Sequence, residues 1–138
     1  LKPCYRLTAP ILRVAELPAG NRIGYHGMRA LERTSSIATI ALGYGNGLPQ
    51  RFADVARAYF GDISAPFVGG MSMNLSMLDV TDIPAGLARH GTVVEVLKAG
   101  QGVDAVAGEL GFAPNVLLTQ IGASCRRRYT GDPVAESV

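Results

Sequence analysis

With 138 residues, 48% of them apolar and 17% charged, the chain has the size and composition of one globular domain. That is enough to bury a core without disulfides or metal, and too apolar for extended disorder. The formal charge is +2, and although eleven of the thirteen basic residues are arginine, so small an excess does not argue for nucleic acid. Two cysteines, Cys4 and Cys125, lie near opposite ends without CxxC spacing and with only His26 and His90 beside them, which argues against zinc. They can pair if the termini meet, and a reduced cytoplasmic protein fits equally well. No apolar run approaches the roughly twenty residues of a membrane helix, and no signal peptide is visible, so the chain reads as soluble. It begins at Leu1 and runs directly into a strand-like segment, as though cut from something longer.

In chain order, Tyr5 to Leu17 is rich in β-branched and apolar residues. Its second half alternates Ile11, Arg13 and Ala15 against Leu12, Val14 and Glu16, the period of a strand. Pro18-Ala19-Gly20-Asn21 supplies turn chemistry, Ile23-Gly24-Tyr25 opens a short segment, Arg29 to Ser36 reads as a loop, and Ser36 to Leu42 as a buried strand. Gly43-Tyr44-Gly45-Asn46-Gly47 suggests a phosphate cradle, but the spacing matches neither a P-loop nor a dinucleotide fingerprint. Between Pro49 and Phe60 the residues Phe52, Val55, Ala56 and Tyr59 can form one helical face, which leaves the stretch ambiguous. Further strands are expected at Leu75–Val80, Thr92–Leu97, Val116–Ile121 and Arg126–Tyr129. One helix is expected, at Val103–Leu110, where Val103, Val106, Ala107 and Leu110 share a face and Gly111 stands ready to end it. The Arg126-Arg127-Arg128 run reads as a solvated or ion-pairing face, or one that meets another domain or subunit. From Gly131 the tail is polar. Many short strands with one helix indicate a mostly β domain, a small barrel or a sandwich.

The most informative stretch is Ser64 to Asp82. Gly69-Gly70 lets the backbone turn sharply or lets another segment approach it closely, and Met71, Met73 and Met77 follow. Read alone, Met73 could as well be a core gap-filler.

Ala65-Pro66-Phe67-Val68-Gly69, Ser72-Met73-Asn74 and Asp79-Val80-Thr81-Asp82 resemble the signature of alanine racemase C-terminal domains. Ile23-Gly24-Tyr25, Ile37-Ala38-Thr39 and Leu42 to Gly47 stand upstream in the matching order. The resemblance spans the chain to about Gly131, with residues 1–130 as the domain and 131–138 as a tail. It implies a closed, barrel-like or Greek-key β domain whose N-terminal pyridoxal-binding α/β barrel lies outside this chain. It also implies a homodimer in which the domain completes the partner subunit's site.

The implied chemistry is L- to D-alanine interconversion on pyridoxal phosphate, feeding cell-wall synthesis. Moving an α-proton between the two faces of a planar carbon needs an acid/base on each face, and the resemblance assigns one of them to Tyr25. A phenol of ordinary pKa about 10 needs supporting donors or positive charge for that task. Read without the resemblance, Tyr25 is an amphipathic residue at a strand end. His26 is adjacent but points to the other face of an extended segment, and takes no role. Tyr44 is implied as a residue lining the entrance, and Met73 as the backbone N–H that binds the substrate carboxylate.

Several positions depart from the family. Gly70 stands where an arginine of the substrate corridor is common, Ser72-Met73-Asn74 replaces Cys-Met-Asp, and Asn115 falls near a tyrosine that contacts the cofactor phosphate. The residues after Tyr25, His26-Gly27-Met28-Arg29, also differ from the family's glycine and aromatic pattern. Only Lys2 and Lys98 are present, neither in a setting like the pyridoxal lysine's, so the isolated chain is expected to be inactive. Two other readings stand beside the racemase. One is the β domain of a pyridoxal-dependent decarboxylase of the same fold type, whose usual cysteine the central motif lacks. The other is a non-catalytic dimerisation or binding module.

Overall fold

The computed structural model describes residues 5–24, 27, 29–98 and 103–131. Among these residues eight strands alternate with short turns: β1 Leu7–Leu17, β2 Arg22–Ile23, β3 Arg29–Ala30, β4 Ser35–Ile40, β5 Arg57–Phe60, β6 Ile63–Val68, β7 Ser76–Asp79 and β8 Val93–Leu97. Three helices complete the fold, α1 Phe52–Val55, α2 Val103–Leu110 and α3 Pro114–Ser124, with a 3₁₀ turn at Tyr44–Asn46. Six strands close into a barrel in the order β1-β4-β7-β6-β5-β8, and every pairing in it is antiparallel. The expected mostly β, barrel-like class is what the chain adopts.

Closure depends on β1 serving two neighbours. Its first half, Leu7 to Pro10, pairs with β8, and Ile11 to Leu17 pairs with β4. The register shifts between Ile11 and Arg13, a bulge that bends the strand from one partner to the other. The bulge also breaks the simple alternation expected for this stretch: Ile11 is fully buried, Arg13 is exposed, and Val14 turns back to the core.

Alternation elsewhere places two cores on either side of one sheet wall. Ala38 and Ile40 of β4, Phe67 of β6 and Leu78 of β7 join the main core inside the barrel. Their neighbours Ile37, Val68 and Met77 join Leu17, Ile23 and Leu31 in a second cluster. That outer cluster lies under the β2–β3 hairpin, so the stretch read as a loop from Arg29 carries a two-residue strand and a buried anchor, Leu31.

The helices extend the main core with Phe52 from α1, Val103, Ala107 and Leu110 from α2, and Leu117 and Ile121 from α3. Helix α2 has the bounds its periodicity predicts. It ends as a Schellman motif: Gly111 takes φ +77°, and the N–H groups of Gly111 and Phe112 bond the carbonyls of Gly108 and Ala107. The ambiguous stretch after Pro49 divides into one helical turn and a strand, α1 and then β5.

Two late strands and the limit of a single helix are corrected. Val116–Ile121 lies within α3, which begins with Pro114 in its first turn after an extended Ala113. Leu117 and Ile121, four residues apart, face the core, and that packing overrides the β-like run of Val116, Leu117 and Leu118. Arg126–Tyr129 forms no strand, and its Arg127 donates to the Gly122 carbonyl near the end of α3.

Phe52 is fully buried and meets Phe67 edge to face, with ring centroids 6.1 Å apart. Phe52→Ala is expected to cost about 3–5 kcal/mol, a large share of a domain's stability. Urea unfolding checks it, and a loss below about 1 kcal/mol would mean that the site repacks.

Candidate active site

One rim of the barrel gathers the glycine-rich segments. The chain leaves β4 into Gly43–Gly47, enters β7 from Met71–Leu75 and leaves β6 into Gly69–Gly70. Antiparallel pairing of β4 with β7 and of β7 with β6 puts these three segments at the same end.

The Gly43–Gly47 loop and the Ser72–Leu75 turn are joined through their backbones. Tyr44 N–H donates to the Ser72 carbonyl at 3.0 Å, and Gly45 N–H to the Met73 carbonyl at 2.8 Å. So close an approach needs bare glycines: a Cβ on Gly43 would collide with the Ser72 and Met73 carbonyl oxygens, and one on Gly45 would lie 2.9 Å from the Met73 oxygen. A Cβ on Gly47 would likewise strike the Gln120 carbonyl of α3. At the base of both segments, the buried Ser76 hydroxyl donates to the Leu42 carbonyl at 2.5 Å. The glycine cluster that suggests a phosphate cradle is therefore a packing surface for another loop and a helix.

This joint fixes the direction of one free donor. Ser72 C=O and Met73 N–H belong to the same peptide unit, and no described peptide bond is cis. Carbonyl and N–H point in opposite directions across a trans peptide. Turning the Ser72 carbonyl onto Tyr44 N–H thus aims Met73 N–H away from the Tyr44 loop. Among the described residues that N–H donates to no acceptor. Tyr44 and Met73 expose 42% and 56% of their surface, so Met73 is no gap-filler, and the core position belongs to Met71 at 3%. Tyr44 and Met73, both singled out from the sequence, are brought together on this rim.

The second close approach concerns the segment leading to Tyr25. Gly24 takes φ +85° and Gly69 φ +68°, conformations that glycine alone adopts cheaply. Their backbones also touch: a Cβ on Gly24 would sit 2.8 Å from Gly69 Cα and Gly70 N, and one on Gly69 would sit 2.7 Å from Gly24 Cα. Gly27 N–H donates to the Gly24 carbonyl at 3.0 Å, and Arg22 Nε to the Gly27 carbonyl at 2.7 Å. Tyr25, His26 and Met28 lie outside the described residues, as do Lys2 and Cys4. Of the segment carrying Tyr25, Gly24 is thus seated on the backbone of Gly69-Gly70.

Comparison with known proteins decides what this arrangement belongs to. The family profile described as "Alanine racemase, C-terminal domain" matches residues 4–129. The chain belongs to the alanine racemase C-terminal domain family. Over 129 residues it is 36% identical to the biosynthetic alanine racemase of Mesorhizobium japonicum, covering 94% of this chain and 32% of that protein. It is 33% identical to the catabolic alanine racemase of Rhizobium johnstonii, covering 94% and 34%. The biosynthetic alanine racemase of Pseudomonas aeruginosa superposes with a TM-score of 0.82 at 33% identity, covering 95% of this chain and 36% of that one. The Bartonella henselae enzyme, solved with covalently bound pyridoxal phosphate, superposes at 0.83 and 29% identity, covering 91% and 34%. The chain thus spans about a third of the length of these relatives.

The racemase C-terminal domain has no lysine at this rim among its described residues. Lys98 Nζ donates to the Gly61 carbonyl at 2.9 Å, near Asp62 and the Tyr59 ring. That is beyond the opposite end of β6, a strand's length of roughly 20 Å from Gly69. The described residues of this rim thus offer backbone donors and the exposed Tyr44 ring but no amine. Asn115 is exposed in the first turn of α3, its carbonyl accepting from Thr119 Oγ1 at 2.7 Å. Burial pushes the Cys125 thiol above its ordinary pKa, and the protonated thiol donates to the Asn46 carbonyl at 3.5 Å. Among the described residues no cluster of His, Cys, Asp or Glu could hold a metal, and no helix is long and apolar enough to cross a membrane.

Sequence reading quotes Asn46 and Ser72 within their motifs but gives neither side chain a role. The available signal is position: each is a short polar residue inside a tight turn next to a candidate site residue.

Proposed function

We propose that this chain works as the C-terminal domain of a longer alanine racemase, an isomerase that interconverts L- and D-alanine. The observation that carries the reading is the rim joint, which aims Met73 N–H away from the Tyr44 loop with no acceptor among the described residues, while Tyr44 stands exposed on the same rim. Family membership adds the reaction.

In this reading pyridoxal phosphate, held by the N-terminal barrel of the partner subunit in a homodimer, supplies the electron sink for the α-carbon. This domain contributes three groups. Met73 N–H donates a charge-assisted hydrogen bond to the substrate carboxylate, which sets which face of the α-carbon meets which base. Tyr44 narrows the entrance and limits water. The Tyr25 phenol moves a proton on one face, opposite the base of the other domain. The enzyme would be cytoplasmic and supply D-alanine for the cell wall. Without the pyridoxal lysine the isolated chain would not racemise. The test is conversion of L-alanine by the full-length protein with pyridoxal phosphate. Carbon dioxide release in place of D-alanine would move the domain to a lyase, and no turnover at all would leave a binding module.

Gly70 tests specificity. A Cβ there meets nothing within 4 Å, so a side chain can leave the backbone at this position without a clash at its first carbon. In the full-length enzyme Gly70→Arg adds a cation beside the proposed carboxylate donor, and KM for alanine is expected to fall severalfold. Unchanged kinetics would mean that the corridor does not pass this position.

A further inference from the structure

The Tyr44 loop and the Met73 turn are each closed by one side chain. Asn46 Oδ1 accepts the Gly43 N–H at 3.0 Å, so the residue reaches back across the 3₁₀ turn to the position that caps it. Asn46 N–H in turn donates to the Gly43 carbonyl at 3.0 Å, and Gly47 N–H to that of Tyr44 at 3.1 Å. On the facing turn, Ser72 Oγ donates to the Leu75 carbonyl at 3.0 Å and accepts the Leu75 N–H at 3.2 Å. Ser72 N–H donates to the same Leu75 carbonyl at 3.0 Å.

From this geometry we infer that Asn46 and Ser72 are positioning residues, which hold the Tyr44 loop and the Met73 turn in register so that Met73 N–H keeps its outward direction. The inference rests on the proposed reading of Met73 as the carboxylate donor. Neither side chain touches substrate in it. Each acts through the two cross-loop bonds, from Tyr44 N–H to Ser72 O and from Gly45 N–H to Met73 O. Losing Asn46 frees Gly43 N–H and lets the loop open, so Tyr44 N–H drifts from Ser72 O. Losing the Ser72 hydroxyl lets the turn twist, so the Ser72 carbonyl drifts from Tyr44 N–H. Either change releases the peptide whose other end is Met73 N–H. A carbonyl that accepts a hydrogen bond also polarises its own peptide, which makes the Met73 N–H a better donor while the joint is intact.

The two residues should therefore behave as one unit. In the full-length enzyme Asn46→Ala and Ser72→Ala are each expected to raise KM for alanine about tenfold with a smaller change in kcat, as loss of a substrate-orienting contact does. The double variant should be little worse than either single one, because the same joint is already lost. Asn46→Asp keeps an acceptor oxygen and Ser72→Thr keeps the hydroxyl, and both should restore KM to within about twofold. A residue needed only for folding would not give this split and rescue.

A second readout does not depend on turnover. Amide hydrogen exchange at Tyr44 and Gly45, measured in the same full-length proteins, should rise at least tenfold in Asn46→Ala and return to the parent value in Asn46→Asp. If the parent protein racemises nothing, the proposed function fails, and the exchange result alone decides whether Asn46 holds the joint. Unchanged exchange overturns the inference. Faster exchange with unchanged KM in an active enzyme overturns it too, by separating the joint from substrate binding.

Discussion

Tyr25→Phe in the full-length protein is expected to lower L- to D-alanine conversion by about a hundredfold or more, because a positioned acid/base contributes roughly 10²–10⁴. The change removes one oxygen and keeps the ring, so binding and fold should hold while the proton transfer on one face is lost. Tyr25 follows Gly24, whose backbone rests on Gly69 and Gly70, the segment that leads to Met71 and the Ser72–Leu75 turn. Gly24, the residue before Tyr25, is therefore tied to the segment that leads to Met73. A two-base reaction adds a sharper expectation. In the proposed reaction the base on the opposite face is untouched, so in deuterated water the α-hydrogen of one enantiomer should still exchange while that of the other slows with racemisation. Equal slowing for both enantiomers would argue that the substitution disturbs substrate or cofactor binding. Full activity would remove the phenol from the chemistry and restore its reading as an amphipathic strand-end residue.

The fold was legible where local signals agreed with tertiary packing. Helix α2 combined four apolar residues on one face with a terminal glycine, and nothing in its surroundings opposed them. Strands β7 and β8 alternated as half-buried strands do. Reading failed where one stretch of sequence serves two neighbours or two periods. Nothing local to Leu12 announces that β1 must leave β8 for β4 there, because the bulge follows from barrel closure. The Val116–Ile121 run fits a strand by residue type and a helix by the spacing of Leu117 and Ile121, and only the core contact of those two decides. At the site, the glycines announced a close approach without naming the partner. Gly69 turned out to face Gly24, and Gly43 to face the turn that contains Met73. Asn46 and Ser72 were illegible for a different reason. A short polar side chain in a turn can bond many backbone groups, and only the folded chain chooses among them.

Gly43→Ala isolates the joint from every other glycine effect. Gly43 has φ −153°, extended backbone open to any residue, so the substitution brings no conformational strain of its own. The whole effect comes from the new methyl group meeting the Ser72 and Met73 carbonyl oxygens. Those are backbone atoms of a turn closed by Ser72 and anchored below by Ser76, so they cannot swing aside as a flexible side chain would. Relief requires the two loops to part, which forfeits both cross-loop hydrogen bonds at about 1 kcal/mol each. It also opens a gap in close-packed backbone, for a total of about 3 kcal/mol. Urea unfolding should register that loss, and in the full-length enzyme kcat/KM for alanine should fall about a hundredfold as the proposed carboxylate donor, Met73 N–H, loses its direction. Gly86→Ala is the matched control, since a Cβ there meets nothing within 4 Å and the turn lies outside the site. If Gly43→Ala matched that control in both stability and kcat/KM, the loops would be free to separate without consequence. The direction of Met73 N–H would then have to be set by something other than the Ser72 carbonyl bond.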